Sequence, residues 1–193
     1  MRQELSSEQA PAAHAVHAGG IDDFDALVET HRPRIFRFML ASLRDREAAE
    51  NLTQDCFVKA YKARAQFRGQ AAETTWLMQI AANLVRDHEG SGRLKFWRRN
   101  LRSDLDVSDV SDWVPDQQRS PEALASAKEQ VRAVWSAAAS LSERQRTVFL
   151  LRFVEDMNLL EIAAVTGMKE GTVKAHLFRA LQAVRASVSQ TAG

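Results

Sequence analysis

A single cysteine, Cys56, stands among the 193 residues. It excludes an internal disulfide and any metal cage built on cysteine alone, and it fits a reducing compartment. Glycine is scarce at 8 residues and proline at 4. There is no glycine-rich phosphate loop, metal-ligand cluster or nucleophile elbow, so the sequence reads as a non-enzyme needing no cofactor and no metal. Long apolar runs are missing as well. Val148–Leu151 is among the longest, far below the roughly 20 residues that cross a bilayer. The first twenty residues show no basic start followed by an apolar core, which argues against a secretory signal and for a cytoplasmic protein. Alternating apolar and polar residues are absent too, so no strand is expected.

Net charge is nearly absent, at +1, but its distribution is uneven. Residues 24–99 carry 14 Lys/Arg against 9 Asp/Glu, and residues 121–193 carry 9 against 7. Between them, residues 100–120 carry 2 against 5, and the N-terminal 23 residues carry 1 against 4. Two basic blocks flanking an acidic connector suit two DNA-facing domains and a linker that avoids DNA. Ordinary solvated faces would give the same counts.

What is present is helical periodicity. Phe24, Leu27 and Val28 recur at helical spacing, as do Ile35, Phe36, Met39, Leu40 and Leu43. Pro33 fits if it occupies the first turn of a new helix. A helix over 48–65 follows, broken at Phe67-Arg68-Gly69-Gln70. Thr74 or Thr75 starts another that runs through Trp76, Leu77, Ile80, Ala81, Leu84 and Val85. Ser120-Pro121-Glu122 reads as a cap, first-turn proline and dipole partner for a second helical block. The expected fold is all-α, with two small helical domains joined by a flexible acidic linker. Residues 1–20 read as a disordered leader, 21–99 as the first domain, 100–120 as the linker and 121–190 as the second domain.

The second domain carries a helix-turn-helix pattern. Ser142 with Gln145 forms a capping box, and Glu155–Asn158 is a polar break. Ala163 is small where two helices cross. Gly167, four residues on, can turn the chain left-handed, and Val173, six further, packs the second helix back. Residues 169–179 would then enter a major groove, with Lys169, Thr172, Lys174, His176 and Arg179 as polar contacts to bases or phosphates. A helical hairpin with a solvated face is the bland alternative. His176 suits a surface or phosphate role better than a metal, because no second ligand is spaced to join it.

The Thr172–His176 run resembles the recognition helix of LuxR-type regulators, so the first domain has to decide. There, Ala48–Tyr61 resembles the polymerase-binding helix of extracytoplasmic-function (ECF) sigma factors of bacterial RNA polymerase. Phe67-Arg68-Gly69, Thr75-Trp76-Leu77, Ile80-Ala81 and Asn83 match that family's promoter-melting segment in order and spacing. Leu141–Arg144, Glu161–Ala163, Gly171–Lys174 and Phe178–Ala180 match its second domain. The resemblance spans about 22–95 and 120–188.

It implies a factor that binds core RNA polymerase and directs initiation at promoters with −10 and −35 elements. By resemblance, Asn51, Leu52, Gln54, Asp55 and Phe57 dock on a coiled coil of the largest catalytic subunit. Phe57 is either a buried anchor of that contact or a core residue. Phe67, Arg68, Gly69 and Gln70, with Trp76, Asn83 and Arg86, are the implied −10 contacts, the loop capturing a flipped base. Trp76 reads as core or as a stacking wedge. Gln70 and Glu73 depart from the family's usual residues, which leaves the preferred base open, and Asn51 replaces a common acidic residue. Arg93–Arg99 either follows DNA or is a free basic end, and the linker is expected to thread the polymerase cleft. An anti-sigma partner is implied, cytoplasmic or holding the chain at the inner membrane. A LuxR-type regulator would need an α/β receiver or a ligand domain upstream, and the first half shows no strands. A helical adaptor that binds protein alone is the third reading, opposed by the basic recognition helix.

Overall fold

The structure, a computed structural model, describes residues 23–67, 69, 71–90, 131 and 133–191. The leader, the linker, the basic run Arg93–Arg99, the cap at Ser120 and the loop residues Arg68 and Gln70 lie outside the described residues. Among those described, every regular element is a helix, as the absence of alternating patterns requires.

The first half is three helices around one apolar centre. α1 spans Phe24–Leu43, capped by Asp23, whose carboxylate accepts from the Ala26 N–H at 2.9 Å. Pro33 lies inside α1 instead of opening a new helix. It forfeits one backbone bond, and Leu27, Ile35, Phe38 and Met39, all buried, hold the helix together on both sides. Arg44, left-handed at φ 57°, ends α1 and returns its N–H to the Leu40 carbonyl. Asp45 then caps α2, Arg46–Ala63, through the Ala48 N–H. A single 3-10 turn, Arg64–Gln66, leads to the loop before α3, Glu73–Gly90. α1 and α2 pack as a hairpin and α3 lies against both. Phe38, Met39, Cys56, Leu77, Met78 and Ala81 have no exposed surface; filling such a centre is worth about 1.5–3 kcal/mol per large side chain.

The second half follows the helix-turn-helix expectation. Helical residues 133–139 lead into α4, Glu143–Phe153. The capping box places the Ser142 N–H on Gln145 Oε1 at 3.3 Å. α5, Leu159–Thr166, and α6, Glu170–Thr191, complete the unit. Gly167 sits at φ 69° between them, where a Cβ would strain the backbone. Ile162 and Val165 on α5 meet Val173, Ala180 and Val184 on α6, all buried, while Ala163 and Leu177 pack partly buried at the edge.

The two halves touch. α1 packs on α4, α3 packs on α5, and one continuous apolar core passes through both. The sequence suggested loosely placed domains; here they close on each other, and buried charges accompany the seam. The residues first read as a polar break alternate: Glu155 is 2% exposed and Met157 3%, while Asp156 and Asn158 face solvent.

Candidate functional site

α2 presents two faces. Leu52 and Phe57 turn inward, at 9% and 7% exposure, with Ala49, Cys56 and Ala60. Phe57 is therefore core, since α1 and α3 leave it almost no surface to offer a partner. Its part is to fix the helix. The opposite face exposes Asn51, Gln54 and Asp55. Val58 stands 51% exposed one turn beyond Gln54, and Tyr61 49% exposed one turn beyond that. Apolar residues nearly encircle this helix, so spacing alone does not mark these two as outward. Tyr61 is held by the edge of Phe24 at 5.2 Å and by the Arg64 guanidinium 3.6 Å over its ring. The result is a firm helical ridge of amide, carboxylate and apolar groups, the composition of a protein-docking surface.

At the far end of α2, Phe67 stacks on Trp76 with ring centroids 5.0 Å apart. Trp76 is partly buried against the core, so its main work is to seat the loop. Gly69 adopts φ 67°, a left-handed turn that glycine takes at no steric cost. Asn83 is half-buried on α3, and Arg86 is exposed one turn on, its Nε 3.9 Å from Asp87. Phe67, Trp76, Asn83 and Arg86 thus lie along α3 and the loop that feeds it.

On α6, the buried Val173 and Ala180 leave the other side free. Lys169, Thr172, Lys174 and Arg179 are exposed there. Lys174 pairs with Glu170 at 2.6 Å, with 59% and 41% of the two side chains exposed. Such a surface pair is worth little and yields readily to phosphate. His176 is half-buried, and its Nδ1 is enclosed with no hydrogen-bond partner. Burial and the nearby Arg179 and Arg144 hold its pKa below the ordinary histidine value. Thr172, His176 and Arg179 fall on one flank of this helix and Lys174 on the other, with Lys169 just before its start; the helix is braced by its neighbour through a left-handed turn, as in helices that enter a major groove.

Comparison with known proteins agrees with this arrangement. Residues 27–93 match the family "Sigma-70 region 2" and residues 132–184 the family "Sigma-70, region 4". The RNA polymerase sigma-H factor of Pseudomonas aeruginosa is 31% identical over 88% of this chain and 88% of its own length. The ECF RNA polymerase sigma-E factor of Escherichia coli is 31% identical over 69% of this chain and 70% of its own. The chain belongs to the ECF sigma factors. Its fold is similar to the sigma factor RpoE of Bartonella quintana, seen with the anti-sigma factor NepR, at TM-score 0.61, 23% identity and coverage of 88% and 98%. CnrH, solved with the cytosolic domain of CnrY, gives TM-score 0.60 at 21% identity, covering 86% and 88%. As an ECF sigma factor the chain binds core RNA polymerase and directs promoter-specific initiation. Its first half is sigma region 2 and its second half region 4.

Cys56 donates weakly to the Leu77 carbonyl at 3.7 Å, and burial pushes its thiol up to about 12. A thiol so placed stays protonated and inert, which suits packing and not redox sensing. No helix among the described residues is long and apolar enough to cross a membrane.

Proposed function

We propose that the exposed ridge of α2, with Asn51, Gln54, Asp55 and Val58, docks this sigma factor on a helical element of the largest polymerase subunit. The loop after the 3-10 turn, with Phe67, Arg68, Gly69 and Gln70, takes a −10 base out of the stack, and Trp76 holds that loop from beneath. Asn83 and Arg86 contact the melted strand. The α6 face, with Lys169, Thr172, Lys174, His176 and Arg179, reads the −35 duplex. Leu52 and Phe57 support the α2 ridge from inside. The chain supplies specificity and strand opening, with no catalytic site of its own. A cytoplasmic setting and an anti-sigma partner, soluble or at the inner membrane, accompany the reading, the partner supported by the complex of the Bartonella quintana relative.

The observation that carries the reading is the exposed basic face of α6 fixed by the buried Val173 and Ala180. Promoter-directed transcription with purified core polymerase, with and without this chain, tests it. Specific initiation from otherwise silent templates is expected, and Asp55→Arg should weaken core binding about tenfold or more. Tight duplex binding with no affinity for core would replace the reading with a LuxR-like regulator. Lys174→Ala should weaken −35 binding: a sequence-dependent loss means base readout, and a uniform loss with a shallower salt slope means phosphate contact.

A further inference from the structure

Phe178 stands on α6 with 61% of its surface exposed, and it takes no part in the core. Among the described residues it is the one large apolar side chain left outward on this helix. Phe153 and Leu160, also exposed, belong to α4 and α5. A helix turns about 100° per residue, which fixes the setting of the ring. Val173, Ala180 and Val184 face inward. Opposite them lie Gly171 and Ala175, both exposed, with Phe178 to one side of that line and Arg179 to the other. Lys174, one turn before Phe178, is exposed on the same flank as the ring.

This strip suits close approach to a duplex. A Cβ added at Gly171 would meet nothing within 4 Å, so the packing of α6 does not call for glycine there, and glycine is the poorer helix former. With Ala175 one turn on, the helix has little bulk along its outward line, and base edges can come near. Two cations, Lys174 and Arg179, stand beside the ring and favour phosphate and guanine acceptors. Charge complementarity therefore selects nucleic acid over an apolar protein surface as the occupant. In a major groove the base edges present donors and acceptors, which Phe178 cannot satisfy, and the C5-methyl of thymine, which it can cover.

We propose that Phe178 is a further specificity residue of the −35 face, its ring packing on the C5-methyl of a thymine. This chain's −35 element then holds a thymine, on one strand or the other, opposite Phe178. The inference rests on the reading that α6 lies in the −35 duplex, and it adds an apolar contact to the polar ones assigned above.

Deoxyuridine scanning tests this, because uridine lacks only the C5-methyl. The probe is the −35 duplex of a template on which core polymerase with the full-length chain initiates, its thymines replaced one at a time. The parent holoenzyme should lose about three- to tenfold in affinity, the worth of one buried methyl, at one or two adjacent positions and nowhere else. Phe178→Ala should bind thymine and uridine duplexes alike, with its salt dependence unchanged, since the ring neutralises no phosphate. The side chain is exposed, so the variant should keep its helices by circular dichroism. A parent indifferent to uridine at every −35 position overturns the proposal, as does a folded variant that stays as sensitive as the parent. An even loss over all sequences with a shallower salt slope would mean that the ring only seats the neighbouring cations, and would overturn it too. Weaker binding to core polymerase with unchanged discrimination would assign Phe178 to a protein contact instead. If no template supports initiation, the functional reading itself fails; the same scan on duplexes selected for binding to the full-length chain alone would still decide whether the ring reads a methyl.

Discussion

Replacing Asn158 by Ala should loosen the helix-turn-helix by about 1–2 kcal/mol. α5 has eight residues, well under the roughly 12–15 a helix needs to persist alone in water. Its start is secured by one side chain. Asn158 Oδ1 accepts from the Leu160 N–H at 2.9 Å and the Glu161 N–H at 3.0 Å. Glu161 Oε2 in return accepts from the Asn158 N–H at 2.7 Å. Alanine removes the first two bonds and loosens the third. Each bond nets about 0.5–1.5 kcal/mol, and Asn158 is exposed, so water partly replaces what is lost and the low end applies. Two bonds then give about 1–2 kcal/mol. Urea unfolding, analysed at fixed m-value, is the assay. Asn158→Asp should recover most of the loss, since its carboxylate accepts the same two bonds and favours the helix N-terminus. A double-mutant cycle with Glu161→Ala should show coupling of about 0.5–1 kcal/mol. An alanine variant as stable as the parent, or an aspartate variant as poor as alanine, would refute the account.

Three further outcomes follow from the same geometry. Gly167→Ala should cost about 1–2 kcal/mol from the left-handed backbone alone, because nothing lies within 4 Å of the added Cβ; Gly167→Asn should cost less, read by the same unfolding experiment. Cys56 should resist a thiol reagent at pH 8 in the native chain, its thiolate fraction lowered about a thousandfold by a pKa raised from 9.0 to about 12, and react at once in denaturant. His176 has a folded pKa below its unfolded 6.5, so the unfolded chain takes up the proton first. Its stabilising contribution is complete above about 6.5 and is lost as pH falls through that value toward the folded pKa. The stability difference between the parent and His176→Gln should therefore shift in the parent's disfavour below about pH 6.5; a difference independent of pH would refute it.

The helix-turn-helix was legible because its physics is local. Gly167 at φ 69°, Val173 without exposed surface and the Ser142–Gln145 contact each involve residues a few positions apart. A spacing can announce such features. α2 was harder: apolar residues at 52, 56, 57, 58, 60 and 61 nearly surround it, so the covering helices decide which are core. They chose Phe57 and left Val58 outside. Pro33 misled for a related reason, since packing on both sides sustains a helix that the ring alone would interrupt.

Glu155 had no signal at all. Arg34 and Arg37 lie 121 and 118 positions away, and each of the three obeys the ordinary rule for a solvated surface charge. Only the fold makes them exceptional, by bringing a shielded carboxylate against two guanidinium groups each about a third exposed. Removing Glu155's charge would take from both arginines the shielded carboxylate they share; removing either arginine would strip the carboxylate of part of its compensation. The packing of region 4 on region 2 thus includes a cluster that no stretch of sequence could reveal by itself.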